Sequence, residues 1–346
     1  MRSTRLRRKR YLKNNEYVID DFNRLNDAYF KYVLASPKRK NLTINFINAV
    51  LSYQPYENEE PVVINDVEFL DRETIPYSEY DKIPRFDLFA QSTDGRYFHV
   101  EVQNIPEKSF TKRSLYYAFL DYTMQMRRGV KYKDLKPVIF IGIMNFSLFG
   151  DSSEDREWYT LHKFLNVKTH ENNFEDVSFH MIELPVLRRH LKETSAVPDA
   201  KLEELLCFWG CRKGDKHMNS LVEEIAEKNS DVAEMLELER LFRMDPLLMR
   251  QYLMDERAHL DYISNMEDYR EEGLEEGRKE GRKTGLEEGL KEGRKTGLEE
   301  GRKEGRKTGL EEGRKDSARK LRSQGILSDE QIAEALGMPI EIVKTL

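Results

Sequence analysis

The sequence predicts a mixed α/β domain followed by a C-terminal helical extension, on three observations. Apolar residues at helical spacing open the ordered part of the chain. Short runs rich in Val, Ile and Phe follow, separated by one long amphipathic segment. Beyond them the pattern is helical and charged to the end. The chain has 346 residues, enough for one or two domains with a real core, with a hydrophobic fraction of 39% and a charged fraction of 35%.

Leu25 to Leu34 and Asn41 to Leu51 show helical spacing, with Pro37 as a breaker between them. Val62–Leu70, Phe86–Gln91, Tyr97–Gln103 and Val138–Met144 read as strands, as does Val177–Leu184, which ends at Pro185. Glu107–Arg128 reads as a helix stopped by Gly129. Further helices are expected near Lys201–Phe208, Asn219–Glu227 and Val232–Arg243. The expected zones are a basic, mobile arm (1–20), the α/β domain (21–195), a helical extension (196–270), a charged repeat (271–316) and a helical hairpin (317–346).

The repeat places glycine at every fourth position from Gly273 to Gly313. Pairs such as Glu275/Lys279 and Glu299/Lys303 favour a helix by roughly 0.2–0.5 kcal/mol each, while each glycine opposes it by about 1 kcal/mol. An isolated helix is therefore expected to be marginal. Leu274, Leu286, Leu298 and Leu310 rotate by about 120° from one to the next, which excludes a heptad seam. A solvated spacer and a homo-oligomerising helix both remain open. In the tail, Ser328 and Gln331 form a capping-box signature, and Ala333, Gly337 and Val343 have helix-turn-helix spacing. The segment Pro339–Leu346 carries no arginine, so a packed helical hairpin stands beside sequence-specific DNA reading.

The two cysteines, Cys207 and Cys211, are too few for a zinc site or a disulfide framework and fit reduced thiols in a cytoplasmic protein. No signal peptide and no membrane-spanning run is expected.

The chemistry centres on Asp87 and Glu101, two acids set among core-type residues on either side of Asp94 and Gly95. A two-residue turn at Asp94-Gly95 pairs Asp87 with Val102 and sends Glu101 to the other face. A three-residue loop from Thr93, with Gly95 left-handed, pairs Asp87 with Glu101, and Gln103 follows on that face. Opposed carboxylates repel unless a cation lies between them, so this second register favours a divalent-metal centre. Residues 107–136 hold eight Lys/Arg against three acids, interleaved with aromatics, a pattern suited to phosphates. Arg113 and Tyr117 lie one turn apart and are expected to face the site. Tyr116 and Phe119 are expected in the core, and His99 as a structural histidine.

Residues 26 to about 184 resemble the recombination-promoting nuclease (Rpn) or putative transposase family of the PD-(D/E)XK superfamily. The resemblance rests on Asn26 through Lys31, Asp81-Lys82, Asp87, the Glu101-Val102-Gln103 triplet, Arg113 through Tyr117, and Ile182 through Pro185. It implies a restriction-endonuclease-like αβββαβ core and Mg²⁺-dependent DNA endonuclease activity, with Mn²⁺ as a substitute. Asp87 and Glu101 would ligate the metal, Asp27 would assist, and Gln103 stands where the superfamily usually has lysine. DNA contacts fall to Lys31, Lys112, Arg113 and Tyr117. The rival expectations are a catalytically decayed nucleic-acid-binding module and an oligomeric interaction protein.

Overall fold

The computed structural model describes residues 11–13, 16–18, 22–53, 62–70, 87–150, 157–194, 197–211 and 215–346, in two compact units, Met1–Leu260 and Asp261–Leu346. In the stretch expected as a basic arm, β1 (Tyr11–Lys13) and β2 (Glu16–Val18) pair antiparallel. The rest of that arm, and Asp81-Lys82, lie outside the described residues.

The first unit is built on a six-stranded sheet of order β3-β4-β5-β6-β8-β7. β3 (Val67–Phe69), β4 (Leu88–Ser92) and β5 (Tyr97–Gln103) form an antiparallel meander. β6 (Val138–Met144) then runs parallel to β5, and β8 (Phe174–Glu183) parallel to β6, while β7 (Tyr159–Phe164) closes the edge antiparallel to β8. Helix α3 (Phe110–Met124) makes the β5–β6 crossover.

Strand alternation sorts the side chains onto two faces. Phe98, Val100 and Val102 of β5 join one apolar cluster, which α1 (Asp27–Leu34) and α2 (Lys40–Ser52) also enter. Tyr97 turns to the other cluster, where Phe110 and Ala118 of α3 pack on Phe140 and Met144. β6 is buried along its whole length because it serves both.

The expected strand ending at Pro185 is corrected. β8 stops at Glu183, and Leu184–Thr194 is a helix, α4, whose second residue is Pro185. Proline has no N–H to donate, and the first helical turn does not need one. β7 escaped the sequence reading because its polar positions, such as exposed His162, break the apolar run.

The helices expected as an extension are α5 (Lys201–Gly210), α6 (Lys216–Ala226) and α7 (Ser230–Met244), followed by α8 (Pro246–Gln324). They share the buried cluster of α1 rather than forming a core of their own. Trp209 tilts on Phe30 at 4.8 Å, Phe242 meets Tyr29 edge-on at 5.1 Å, and Tyr252 stacks on Phe22 at 4.7 Å. A buried ion cluster adds to this join. Arg24 donates to Glu239 at 2.7 Å and to the Phe208 carbonyl at 3.1 Å, and Arg243 reaches the same carboxylate at 3.4 Å. Removing one member of such a cluster leaves buried charge uncompensated. Glu239→Ala is therefore expected to destabilise the protein by about 3–5 kcal/mol in urea unfolding; a change below about 1 kcal/mol would show that water enters there.

Cys207 and Cys211 are free and buried. Burial pushes the Cys207 thiol up to about 12 and that of Cys211 up to about 11, so both are poor nucleophiles at neutral pH.

The charged repeat is helical, against the expectation from its glycines. It continues α8, whose first turns are fixed by buried Met249 and Tyr252, so the nucleation penalty is already met and only propagation remains. Glu275 and Lys279 pair at 2.7 Å. Leu274, Leu286, Leu298 and Leu310 are exposed along it. In the second unit the tail folds as expected, with α9 (Asp329–Leu336) opened by the Ser328–Gln331 capping box and ended by Gly337 at φ +60°. α10 (Ile340–Thr345) follows, and Val343, Ala333 and Ile332 bury against Ala318. No helix among the described residues is long and apolar enough to cross a membrane.

Candidate active site

The β4–β5 connection decides the register. Leu88 pairs with Val100 and Gln91 with Tyr97, which sets Asp87 opposite Glu101. The loop comprises Thr93, Asp94 and Gly95, closed by Ser92 N–H to the Arg96 carbonyl at 2.9 Å and Gly95 N–H to the Ser92 carbonyl at 2.8 Å. Gly95 sits at φ +96°, where an L side chain is strained. The three-residue loop, not the plain turn, is what the chain adopts.

Opposition in register does not mean that the two carboxylates meet. Asp87 lies one residue before the first residue of β4, so its side chain is free to bend to the strand edge. There it accepts the Val102 N–H at 2.6 Å and faces α1. Lys31 stands 3.8 Å from Asp87 and 2.7 Å from Asp27. Burial, then the hydrogen bond and charge of Asp27, hold the Asp87 carboxyl well above the usual carboxylate range; Val102 and Lys31 pull the other way.

Glu101 turns under α3 instead. Its Oε1 accepts from Arg113 Nη2 at 2.6 Å, and the same nitrogen donates to Gln103 Oε1 at 2.9 Å. Arg113 Nη1 binds Glu107. Gln103 Nε2 donates to the Ile105 carbonyl at 3.1 Å, which fixes the amide with its oxygen toward Arg113. Burial raises the Glu101 pKa, and the Arg113 guanidinium opposes that shift. Glu101 Oε2 is buried and has no hydrogen-bond partner. On β6, Gly142 lies beside Glu101, where a Cβ would stand 3.0 Å from Met181 and 3.3 Å from the Phe110 ring. The missing side chain lets α3 settle close over the acid.

Two further groups brace α3. His99 Nδ1 lies 3.1 Å from Asp121 Oδ2 at full burial, and Tyr117 stacks on the His99 ring at 5.9 Å. His99 is thus a structural histidine, as expected. Asp121 was not singled out in the sequence, because only the tertiary pairing distinguishes it from a surface acid. Tyr116 and Phe119, expected in the core, are instead 50% and 41% exposed. The buried stripe of α3 is Phe110, Ser114, Ala118 and Asp121, and the larger aromatics fall off it. Lys112 is exposed one position before Arg113.

A cavity of about 110 Å³ adjoins Asp87 and Asp27, with Asn104, Asp255 and His259 in its wall. Asp255 accepts from the Ala28 N–H at 3.2 Å. Nothing in the local spacing links it to Asp87, which is over 160 positions away in the chain.

The sequence model of the family described as PD-(D/E)XK nuclease family transposase matches residues 24–269. The chain belongs to that family. The match takes in the sheet and the helices up to the early turns of α8, so the shared core of α1 and α5–α8 belongs to the family's own region. No curated protein and no solved structure matches the chain.

The donor set of this PD-(D/E)XK chain fits a hard divalent cation. Among the described residues no three Asp, Glu, His or Cys side chains form a ready-made cage. Mg²⁺ does not require one, since it is commonly held by one or two carboxylates together with substrate phosphate oxygens. The buried, unpartnered Glu101 Oε2 and the carboxyl of Asp87, whose ionisation burial and Asp27 oppose, are the kind of oxygen donors that such an ion would satisfy.

Proposed function

We propose that this transposase-family chain is a Mg²⁺-dependent DNA endonuclease that promotes recombination by making breaks, with Mn²⁺ able to replace Mg²⁺. The observation that carries the reading is the buried Glu101 Oε2 without a partner, on a strand whose register sets Asp87 opposite. The mixed α/β element order is consistent with it too, with helices, an antiparallel meander, a crossover helix and a parallel strand in succession.

Asp87 and Glu101, which face α1 and α3, would have to turn from Lys31 and Arg113 toward each other to hold the cation. Bound there, it would polarise a phosphate oxygen and lower the pKa of a water. Asp27 holds the Asp87 carboxyl from α1, and Val102 N–H fixes its direction. Gln103 acts through Arg113: its amide oxygen steadies the guanidinium, which brings to the site the positive charge that lysine brings at this position in other superfamily members. Lys112, Lys31, Arg113 and Tyr117 are the DNA-binding group of this reading. Around them Lys108, Arg127, Arg128 and Lys131 are exposed on the same connection.

The test is nicking of supercoiled plasmid by the full chain with Mg²⁺ or Mn²⁺, compared with Asp87→Ala and Glu101→Ala. Cleavage by the wild type and its loss in both variants is expected. Equal nicking by all three would remove this mechanism. The ion pairs already formed by both carboxylates favour one other reading, a DNA-binding module that no longer cuts; it predicts retained duplex binding with no cleavage in any of the three. Self-association through α8, with its exposed leucines, is a separate proposal; deletion of 273–315 should then lower the mass seen by light scattering.

A further inference from the structure

Arg113 already holds one of the two oxygens of the Glu101 carboxylate that a cation would bind. Its Nη2 bridges Glu101 Oε1 and Gln103 Oε1, its Nη1 is taken by Glu107, and its Nε is buried without a partner. The Arg113 side chain is 25% exposed and that of Glu101 only 9%, so the arginine lies on the solvent side of the acid. A divalent ion approaching Glu101 from that side meets the guanidinium first. An ion on Glu101 Oε2 would share one carboxylate with the guanidinium on Oε1, and two positive centres that close repel strongly in a partly buried site.

We propose that Arg113 is an exchangeable counter-cation: it holds Glu101 before substrate arrives and passes to a DNA phosphate as a divalent ion takes Glu101, so that DNA and metal bind cooperatively. The inference rests on the proposed function. The guanidinium is suited to both duties, since its planar fork matches carboxylate and phosphate alike. Gln103 supplies the pivot. Its Nε2 bond to the Ile105 carbonyl keeps its oxygen aimed at Arg113, and a neutral amide does not resist the exchange as a second acid would. A lysine at 103 would place two cations together and expel the arginine, so glutamine at 103 and arginine at 113 act as a matched pair. The neighbouring Lys112 and the exposed flank of α3 put phosphates within reach of the released side chain. By linkage, if DNA draws Arg113 away and strengthens metal binding, metal must strengthen DNA binding by the same factor.

The experiment is calorimetric titration of the full chain with Mn²⁺, alone and with a short phosphorothioate duplex that resists cleavage, for wild type, Arg113→Gln and Glu101→Ala. In the wild type, DNA is expected to tighten Mn²⁺ binding by roughly 10-fold or more, within the usual range of coupling between sites. Arg113→Gln should bind Mn²⁺ without DNA about as tightly as the wild type binds it with DNA, and should lose the dependence on DNA. Equal or weaker Mn²⁺ binding by a folded Arg113→Gln overturns the exchange while leaving the nuclease reading in place. If that variant does not melt cooperatively, Arg113→Lys takes its role: one ammonium cannot hold Glu107 and Glu101 together as the two Nη groups do, so Mn²⁺ affinity without DNA should rise, and an unchanged value overturns the exchange. Mn²⁺ binding to the wild type that ignores Glu101→Ala, with and without DNA, overturns the exchange and the proposed metal site together.

Discussion

Replacing Asp87 with asparagine is expected to lower cleavage by about 10³-fold or more and, in the same molecule, to make the metal-free protein more stable near neutral pH. The first effect follows from losing one of two carboxylates assigned to the cation, which forfeits several kcal/mol of transition-state stabilisation. The second follows from the surroundings of Asp87. Burial and the adjoining Asp27 carboxyl raise its pKa well above the ordinary aspartate value. The folded chain therefore keeps a proton there that the unfolded chain has already released. Stability then falls as pH rises from the ordinary value through the raised one, because the folded state binds more protons over that interval.

Asparagine removes the titration and retains the geometry. Its amide oxygen can accept the Val102 N–H, and its amide nitrogen can donate to Asp27. The gain should be on the order of 1 kcal/mol at neutral pH, the usual scale on which active-site residues sacrifice stability for function. It should vanish in acid, below the ordinary aspartate pKa. Urea unfolding of both proteins in EDTA across the acid-to-neutral range checks this. Parallel stability curves for the two proteins would mean that Asp87 ionises freely in the fold.

Ending the chain at residue 195 is expected to abolish cooperative folding, whereas ending it after residue 260 is expected to preserve it. The sequence places a boundary at 195/196, where the strand pattern gives way to helices. In the structure that cut removes Trp209 from Phe30, Phe242 from Tyr29 and Tyr252 from Phe22. It also strips Arg24 of Glu239. Each large aromatic lost from a core costs about 3–5 kcal/mol, so three exceed much of the 5–15 kcal/mol that holds a domain folded. α1 would lose the surface it packs on, and with it the support for Asp27 and Lys31. Near-ultraviolet circular dichroism and thermal melting of the two fragments decide the matter. A sharp transition in 1–195 would show that the sheet with α1 and α2 is self-sufficient.

Both expectations concern places where local pattern and tertiary packing part company. β5 and β6 were legible to the residue, because their apolar runs are bounded by Gly95 and Pro137 and by the polar residues that follow. The three-residue loop was legible as one of two parities, and the Asp94-Gly95 chemistry allowed either. α4 was hidden by Pro185, which has the same sequence appearance at the end of a strand as in the first turn of a helix. Tyr116 and Phe119 looked like core because spacing gives a helix its faces but not which face meets the sheet.

The sequence by itself determined the central strands β5 and β6, the helices that follow the sheet, the tail cap and the acids worth watching, since these depend on periodicity, turn chemistry and residue type over short spans. Only the tertiary structure decided that the extension shares the core of α1, that the glycine repeat continues a helix already begun, and that Asp87 and Glu101 each meet a cation of their own chain. Those outcomes depend on which side chains arrive from distant elements to neutralise or cover a group, and that information is carried by packing rather than by neighbours in the chain.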